Sequence, residues 1–270
     1  MKKIIENILK KYTLEYGFCD FSRIEPYLIQ CRNLGKIPLG AKTVISVLFP
    51  YCLEEEKYEN LNVSRYAAVP DYHIVANSYL EKIVNDLKCE LPDEEFVFFA
   101  DNSPINEVYT ACASGLGKLG KNGLLINEKY GSWVFIGEIV STVKIDFKRY
   151  EISRCEGCGK CVKACPVKAL DEENSGKDFC LSNISQKKSD VPEEYKALMK
   201  KYDCAWGCDI CQKVCPHNIG KEKTSIKEFE EGFEPNVNED VEIEGRAFAW
   251  RGEKVIRRNL KILNENKTVE

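Results

Sequence analysis

Two cysteine runs, each ending in Cys-Pro, dominate the second half of the sequence. The first is Cys-x-x-Cys-x-x-Cys-x-x-x-Cys-Pro over residues 155–166, and the second is Cys-x-x-Cys-x-x-x-Cys-Pro over residues 208–216. Thiolates at these spacings are the ligands of 4Fe–4S clusters, each of which takes four. Two-residue gaps let one tight loop place three sulfurs around a single cluster, and the three-residue gap starts a short helix that carries the fourth sulfur to the other cluster. The pattern therefore predicts two 4Fe–4S clusters.

The spacing assigns one ligand set completely and leaves the other open. Cluster 1 takes the first three cysteines of the first run and the last cysteine of the second run, namely Cys155, Cys158, Cys161 and Cys215. Cys165, Cys208 and Cys211 then remain for cluster 2, which lacks a fourth ligand. Both Cys180 and Cys204 are candidates, and spacing alone favours Cys204.

Other uses of these cysteines fit the sequence less well. Disulfides are not expected, because the N-terminus lacks the uninterrupted apolar core of an export signal. Zinc sites use Cys-x-x-Cys pairs, but not three cysteines at two-residue gaps ahead of Cys-Pro. No run of eighteen apolar residues occurs, so no transmembrane helix and a reducing, cytoplasmic location are expected. The formal net charge of −4 gives no bulk attraction to nucleic acid.

The first half of the chain must supply the elements that position these ligands. At 270 residues the chain can hold one large or two modest domains. Apolar periodicity predicts a helix from residue 4 that Gly17 ends, and a long helix over residues 71–87. Short apolar runs predict strands at residues 44–49 and 95–100. A hairpin is predicted from residues 124–126 and 133–140, with the second strand central in the sheet.

Three features of this half are candidate functional elements. Arg65 is either a solvated or salt-bridged surface arginine or a ligand contact, and the residue alone favours the surface. Asp101 lies where a strand ends and a helix capped by Ser103 and starting at Pro104 is expected, and its simplest interpretation is a turn residue. The glycine-rich loop at residues 115–123 is either a tight connection or a backbone surface for a ligand. Its spacing excludes a nucleoside triphosphate loop.

Basic residues follow the cysteine runs, in a segment expected to be helical. They are Arg246, Arg251, Lys254, Arg257, Arg258 and Lys261. They form either a solvated helix face or a patch that contacts phosphates.

Together these motifs resemble one known family. The order Ser-Arg-Tyr-Ala, Asp-Tyr-His, an aspartate ahead of Ser-Pro, Gly-Leu-Gly-x-x-Gly-Lys-Asn, Gly-Ser-Trp-x-Phe-x-Gly-Glu and two cysteine runs is similar to that of the epoxyqueuosine reductases. The resemblance covers about residues 40–261 and ends before the helical-repeat tail that family members often carry. It implies an enzyme that depends on cobalamin and 4Fe–4S clusters.

The resemblance implies an α+β fold with three parts. Residues 1–148 would form a nitroreductase-like, cobalamin-binding catalytic domain. Residues 149–222 would form a double 4Fe–4S, ferredoxin-like domain, and residues 223–270 a C-terminal extension with the basic helix.

The resemblance also implies roles for individual residues. Asp101 would be the catalytic proton donor, which requires a raised pKa. Cys180 would be the fourth ligand of cluster 2, with Cys204 spare. Neither His73 nor His217 would be needed as an axial ligand of cobalt. The cobalamin would be lined by Arg65, Asp101, Lys121, Asn122, Leu125 and Ile136, largely through the backbone of the last four.

The main functional hypothesis is a cobalamin-dependent reductase that converts epoxyqueuosine to queuosine in tRNA. The alternatives are a related cobalamin reductase with another substrate, and a two-cluster electron carrier without cobalamin. The expected partners are tRNA, through the basic patch between Arg246 and Lys261, and an electron donor such as ferredoxin or flavodoxin. No membrane partner is expected.

Overall fold

The computed structural model describes residues 1–171 and 177–265, which contain both helices and β-strands. The strands are β1 (Glu15–Asp20), β2 (Thr43–Pro50), β3 (Phe96–Ala100), β4 (Lys118–Leu119), β5 (Leu125–Ile126) and β6 (Val134–Ser141). The helices are α1 (Lys2–Lys11), α2 (Phe21–Ile24), α3 (Arg65–Ala68), α4 (Tyr72–Glu90), α5 (Glu107–Ala113), α6 (Lys160–Ala164), α7 (Leu181–Gln186), α8 (Glu193–Lys201), α9 (Ile210–Lys213), α10 (Lys227–Glu231) and α11 (Glu253–Asn264).

Packing divides the chain into two compact units. Met1–Pro50 and Tyr72–Gly157 form the first, here called the sheet unit, and Tyr51–Asp71 joins the chain from Cys158 onward in the second, here called the cluster unit. Arg65 therefore packs in the unit that holds most of the cysteines, and the residues after 222 pack in that unit as well. The functional division at residues 148 and 222 remains a prediction.

The sheet unit is built on a four-stranded antiparallel sheet in the order β1-β2-β6-β3. The expected strands at residues 44–49, 95–100 and 133–140 are confirmed, and β6 is central, with β2 and β3 as its neighbours. The expected hairpin between residues 124–126 and 133–140 is wrong. Both edges of β6 are taken by longer strands, so β5 pairs with β4 instead.

Two helix boundaries in this unit differ from the sequence prediction. The first helix is confirmed but its C-cap is Tyr12, and Gly17 lies inside β1. The helix after β3 begins at Glu107 and not at Pro104. Its N-cap is Asn106, whose side chain accepts a hydrogen bond from the amide of Tyr109 at 3.1 Å. The expected long helix is confirmed as α4.

Gly17 is explained by packing on the sheet and not by helix termination. A Cβ atom at this position would lie 2.3 Å from the carbonyl oxygen of Ser114 and 3.1 Å from Leu116 Cγ. The end of α5 thus approaches the backbone of β1 more closely than any side chain would permit. A local pattern cannot reveal this, because Ser114 is distant in sequence.

The cluster unit has its own apolar core, in which α11 packs against α7 and α8. Trp206, Phe229 and Phe248 are fully buried in this unit. Asn259 of α11 is also buried and donates hydrogen bonds of 2.7 Å to the carbonyls of Ser185 and Ala205. These bonds satisfy a buried amide whose desolvation would otherwise be costly.

Residues 51–71 are held in the cluster unit by backbone and side-chain hydrogen bonds. Asn62 donates to the Val237 carbonyl at 2.7 Å and accepts from the Val237 amide at 2.9 Å. The amide of Ser64 donates to the Trp206 carbonyl at 2.7 Å. These bonds tie the segment to distant parts of the chain.

Across residues 1–171 and 177–265, no helix has both the length and the apolar character that a bilayer span requires.

We expect Gly17→Ala to destabilise the protein by about 1–3 kcal/mol, because the added methyl group must displace the Ser114 carbonyl. Gly35→Ala is the matched control, since a Cβ there meets nothing within 4 Å. Chemical unfolding of both variants under identical conditions measures the difference. Equal free energies of unfolding for the two variants would contradict the packing explanation.

Candidate functional site

The first cysteine run folds as a glycine-containing loop followed by a short helix. Gly157 and Gly159 have φ values of 69° and 73°, a left-handed conformation that glycine adopts at little cost. α6 then carries Cys161 and stops just before Cys165. This confirms the short helix expected ahead of Cys-Pro.

The second run has the same design. α9 carries Cys211, and Pro216 begins a short 3₁₀ helix, Pro216–Asn218, directly after Cys215. α9 contacts α6, so the helical parts of the two runs are neighbours in the cluster unit. An exchange of ligands between two runs requires this proximity.

The surroundings of Cys208 bear on the missing ligand of cluster 2. The pKa of the Cys208 thiol is raised to about 11, mainly by burial, with smaller contributions in the same direction from the charges of Asp209, Cys180 and Cys165. These three sulfurs are therefore close enough to interact electrostatically. Cys204 is buried, and its thiol donates to the Gly207 carbonyl, an arrangement typical of a packed thiol.

All fourteen cysteines lie within the described residues, and none forms a disulfide. In that part of the chain no three Cys, His, Asp or Glu side chains converge tightly enough to hold one metal ion. The corners of a four-iron cluster are spread more widely than the ligands of a single ion. The donor set of thiols, Gly turns and Cys-Pro runs fits 4Fe–4S clusters.

The glycine-rich loop of the sheet unit contacts one of the predicted ligands. The amide of Lys121 donates to Cys155 Sγ at 3.3 Å, and the amide of Cys155 donates to the Leu119 carbonyl at 3.0 Å. Gly117 lies so close to Ile126 that a Cβ would approach its carbonyl oxygen to 2.4 Å. The loop is thus a tight connection that also directs a backbone N–H at the sulfur of a predicted cluster ligand. A contact of this kind would tune the potential of a bound cluster.

Two other residues expected at the cofactor, Leu125 and Ile136, are buried in an apolar cluster with Leu48 and Ala111. Their side chains serve the core of the sheet unit. Only their backbone remains for a ligand, as the resemblance implies. Lys121 is exposed and Asn122 is half-buried, so both are accessible on this loop.

Asp101 lies in a turn directly after β3, with its side chain 57% exposed. Its φ is 56° and that of Asn102 is 44°, an uncommon conformation for residues other than glycine. Its carboxylate lies 3.0 Å from Nε2 of His73, in the first turn of α4. Strained backbone of this kind is often found at functional sites.

The electrostatics of Asp101 correct the sequence expectation. The hydrogen bond from His73 holds the pKa of Asp101 below its ordinary value, and burial, which acts in the other direction, is the weaker effect. The expectation of a raised pKa is therefore wrong for this structure. The carboxylate is stabilised in its ionised form, and His73 is the group beside it that can carry a proton.

A second carboxyl group lies beneath this region, on the central strand. Glu138 is 0% exposed, and neither of its carboxyl oxygens has a hydrogen-bond partner among the described residues. Burial raises its pKa well above the ordinary value, followed by the charges of Glu107 and Asp101. The nearby Ser103 hydroxyl lowers the pKa of Glu138, although it does not form a regular hydrogen bond with either carboxyl oxygen. Burial thus favours the protonated, uncharged form of the Glu138 carboxyl group.

Arg65 is not a solvated surface residue. It is 6% exposed, its guanidinium makes two hydrogen bonds to Glu55 at 2.9 and 2.5 Å, and it stacks 3.9 Å from the ring centroid of Tyr58. Its amide donates to the carboxylate of Asp209 at 2.6 Å. Of the solvated and the salt-bridged arginine that the sequence allowed, only the salt-bridged one is confirmed, and it is buried.

Three of the four arginines of the basic segment bind protein carbonyls. Arg246 donates to the Gly232 carbonyl at 2.7 Å, and Arg258 to the Lys187 and Ser189 carbonyls at 2.9 and 2.5 Å. Arg257 bonds to Glu253 and to the Glu239 carbonyl. These three side chains brace α11 and its surroundings.

The lysines of the same segment are different. Lys254 and Lys261 are exposed, and neither has a hydrogen bond or an ion pair within the described residues. They lie seven residues apart on α11. The six basic residues therefore differ in their contacts, and their joint role as a phosphate-binding patch remains a prediction.

Comparison with known proteins identifies the family. Residues 33–102 match the model for "Epoxyqueuosine reductase QueG, DUF1730", and residues 154–218 match that for a 4Fe–4S double cluster binding domain. The chain is 33% identical over 239 residues to the epoxyqueuosine reductase of Lactococcus garvieae, which covers 82% of this chain and 68% of the relative. The chain belongs to the epoxyqueuosine reductase family.

Further relatives agree with this family assignment. The epoxyqueuosine reductase of Synechocystis is 32% identical to this chain, and the match covers 78% of this chain and 74% of the relative. The epoxyqueuosine reductase of Listeria monocytogenes is 34% identical, and the match covers 72% of this chain and 54% of the relative. The chain thus spans about half to three quarters of these relatives.

Solved structures share the fold. The epoxyqueuosine reductase of Streptococcus thermophilus matches 99% of this chain and 81% of its own, with a TM-score of 0.79 and 24% identity. An epoxyqueuosine reductase solved with an epoxyqueuosine-modified tRNA-Tyr stem loop matches 97% of this chain and 81% of its own, with a TM-score of 0.80 and 21% identity.

Sequence reasoning missed two residues of this region. His73 stands 28 positions before Asp101, and only its place in the Asp-Tyr-His motif marked it. Glu138 was visible as a lone acidic residue inside the apolar strand β6, which is a signal in its own right.

We expect Glu138→Gln to stabilise the protein increasingly as pH rises. An acid whose folded pKa is raised contributes stability only below its unfolded pKa, and loses about 1.4 kcal/mol for each pH unit up to its folded pKa. The amide does not titrate, so the difference between variant and wild type grows upward from about pH 4.5.

Urea unfolding between pH 4.5 and 8 measures this difference, with Glu90→Gln at the exposed end of α4 as the control. Parallel stability curves for wild type and Glu138→Gln would show that Glu138 is already ionised in the folded protein.

Proposed function

We propose that this chain reduces epoxyqueuosine in tRNA to queuosine. The reaction removes the epoxide oxygen: two electrons and two protons convert the three-membered ring to an alkene and water. Both carbon–oxygen bonds break, and the oxygen needs a proton when the first of them opens. Membership of the epoxyqueuosine reductase family supports the substrate, and the pairing of Asp101 with His73 is the single observation that carries the chemistry.

The sheet unit is proposed to hold cobalamin in the nitroreductase-like manner that the family resemblance implies. When bound, cobalamin supplies the electrons that break the carbon–oxygen bond. The chain fits such a group through the accessible carboxylate of Asp101 and the exposed loop at Lys121 and Asn122. The backbone at Leu125 and Ile136 completes this set. Arg65 is proposed as a further contact, although here its guanidinium is engaged by Glu55.

The cysteines are proposed to hold two 4Fe–4S clusters, which pass electrons one at a time. Cluster 1 takes Cys155, Cys158, Cys161 and Cys215, and cluster 2 takes Cys165, Cys180, Cys208 and Cys211. The hydrogen bond from Lys121 to Cys155 supports a link between cluster 1 and the proposed cofactor loop. A small electron-transfer protein, such as a ferredoxin or a flavodoxin, is the proposed donor.

The proton is proposed to come from the pair of Asp101 and His73 acting together. The hydrogen bond lowers the pKa of Asp101, so the carboxylate alone is a poor proton store near neutral pH. A protonated His73 restores the proton that Asp101 passes to the substrate oxygen. The exposed side chain of Asp101 leaves this proton accessible to a substrate.

We expect Asp101→Asn to slow epoxyqueuosine reduction by about 10²–10⁴-fold, the usual contribution of a general acid. We expect His73→Gln to slow it less at neutral pH and to recover activity as pH falls, because Asp101 must then hold its own proton. Nucleoside mass spectrometry of epoxyqueuosine-containing tRNA, after incubation with reduced holoprotein, measures both rates.

The matched control is Asn33→Ala, which removes a different contact of the same turn, a 2.8 Å hydrogen bond to the Asn102 carbonyl. Iron and cobalt contents must equal those of the wild type. A His73→Gln enzyme with the wild-type rate and pH profile would eliminate the paired donor. A fully active Asp101→Asn enzyme would eliminate Asp101 itself.

The choice between Cys180 and Cys204 is testable by metal content. We expect Cys180→Ser to lower bound iron from about eight to about four atoms per chain, since one cluster loses a ligand. We expect Cys204→Ser to keep about eight, because its thiol is engaged by the Gly207 carbonyl. Iron and sulfide analysis after anaerobic reconstitution gives the answer, and the reverse result would assign Cys204 to cluster 2.

A further inference from the structure

The surface formed by α8, α11 and the turn before α11 is not explained by the proposed reaction. α11 buries Val255, Ile256 and Leu260 against the core of the cluster unit and turns its charged face outward. A groove of about 530 Å³ at this face is lined mainly by residues of α11, together with Lys196 of α8 and the nearby Asp190, Val191 and Glu265. Five cationic and three anionic side chains line it, in a protein whose net charge is −4.

Many of these charges already have partners inside the protein. Arg258 is bound to backbone carbonyls and Arg257 to Glu253. Lys196 pairs with Glu193 at 2.6 Å, and Glu265 with Lys200 at 3.1 Å. These internal pairs hold the groove residues in place. Only the charged groups of the groove that have no such pair are available to bind a ligand.

The charged groups of the groove without such a pair among the described residues are Lys254, Lys261 and Asp190, and the two lysines are the cations of this set. Lys254 and Lys261 both line the groove, and among the described residues neither ammonium group meets a carboxylate. Seven helical residues place them on one face, about 10 Å apart along the axis. Two unpaired cations at this spacing suit a chain of phosphates, which binds by releasing counterions.

An exposed aromatic side chain stands directly before this helix. Trp250 is 57% exposed, whereas Phe248, two residues earlier, is fully buried. Phe248 is the N-cap of the 3₁₀ turn Ala249–Arg251, and Trp250 is the central residue of that turn. Gly252, with a φ of 85°, is the N-cap of α11. The turn thus sends one ring into the core and presents the other to solvent.

Arg251 adds to this aromatic surface. Its guanidinium lies 3.8 Å from the ring centroid of Trp250, so a flat cation covers part of the indole. Its Nε is shielded from solvent and has no hydrogen-bond partner among the described residues. Unpaired RNA bases stack on aromatic rings and on arginine planes of this kind, with energies that tolerate any base.

We propose that Trp250 and Arg251 form a stacking platform for an unpaired RNA base, and that Lys254 and Lys261 hold the phosphates beside it. This inference rests on the proposed function in that it names the surface by which the chain grips its RNA. It narrows the expected patch of six basic residues to Arg251, Lys254 and Lys261 and adds the exposed ring of Trp250. An acidic protein partner would use the lysines but would gain nothing specific from the platform.

Binding of a fluorescently labelled RNA stem loop with a seven-nucleotide loop, measured by anisotropy on the holoprotein, tests this surface. We expect Trp250→Ala to weaken binding by about 5- to 100-fold at every salt concentration. We expect Lys254→Ala with Lys261→Ala to lower the slope of log K against log salt by about 1.4, the value for two single-strand phosphate contacts.

Matched controls come from the sheet unit. Lys3→Ala with Lys10→Ala removes two exposed lysines at the same seven-residue spacing on α1, and Leu39→Ala removes a 94% exposed apolar side chain. These variants are expected to bind like the wild type. Iron content and unfolding curves must be unchanged in every variant, which the solvent-facing positions of the substituted residues permit.

The outcomes separate this inference from the proposed reaction. Trp250→Ala and the double lysine variant binding RNA like their controls would overturn the surface, even if the wild type reduces epoxyqueuosine. RNA binding that depends on these residues in a protein without reductase activity would support the surface and overturn the reaction. Unchanged RNA binding with slower reduction by flavodoxin in the double lysine variant would assign the lysines to the electron donor and overturn the inference.

Discussion

Thiolates repel one another, and this constraint governs the whole second half of the chain. Eight of them can share a small volume only when iron neutralises them or when protons do. Burial is the main cause of the raised pKa of Cys208, and the charges of Cys180 and Cys165 contribute in the same direction. The ligands must therefore be positioned by structure that does not depend on attraction between them. Short helices, left-handed glycines and the buried core around α11 supply it.

Burial and neighbouring charges also decide the protonation of two carboxyl groups of the sheet unit, and they shift the two pKa values in opposite directions. Asp101 has a histidine beside it, which favours its anionic form, whereas Glu138 has no hydrogen-bond partner among the described residues, and its burial favours the protonated form. The difference comes from their neighbours and exposure, since the two residues are near in space and alike in chemistry. A pair of carboxyl groups pushed apart in pKa in this way is a common feature of sites that move protons.

Local pattern was sufficient for much of the fold. The strands at residues 44–49 and 133–140 and the helix α4 follow from apolar periodicity, and the cysteine spacing predicts the short helices before Cys-Pro. These features depend on neighbours in sequence, which a pattern contains. The hairpin partner of residues 124–126 depends on competition for the edges of β6, which a local pattern does not contain. Gly17 and Ser114 meet only through the packing of α5 on β1.

The candidate site shows the same limit. Spacing identified the cysteines, but the hydrogen bond between His73 and Asp101 joins a helix to a turn 28 residues away. The roles of the basic residues were equally hidden, because a guanidinium that binds a backbone carbonyl looks the same in sequence as one that faces solvent. Arg246 and Arg258 became distinguishable from Lys254 only when their partners were known. The charge pattern identified the basic segment but not which of its side chains are free of contacts within the protein.

The placement of residues 51–71 also bears on how the protein is made. This segment leaves the ribosome early, yet Asn62, Ser64 and Arg65 bond to Val237, Trp206 and Asp209. During synthesis it must wait, with its polar backbone still hydrated, for more than a hundred further residues to emerge. The contacts that hold this segment in the cluster unit can therefore form only after the chain has been made as far as Val237.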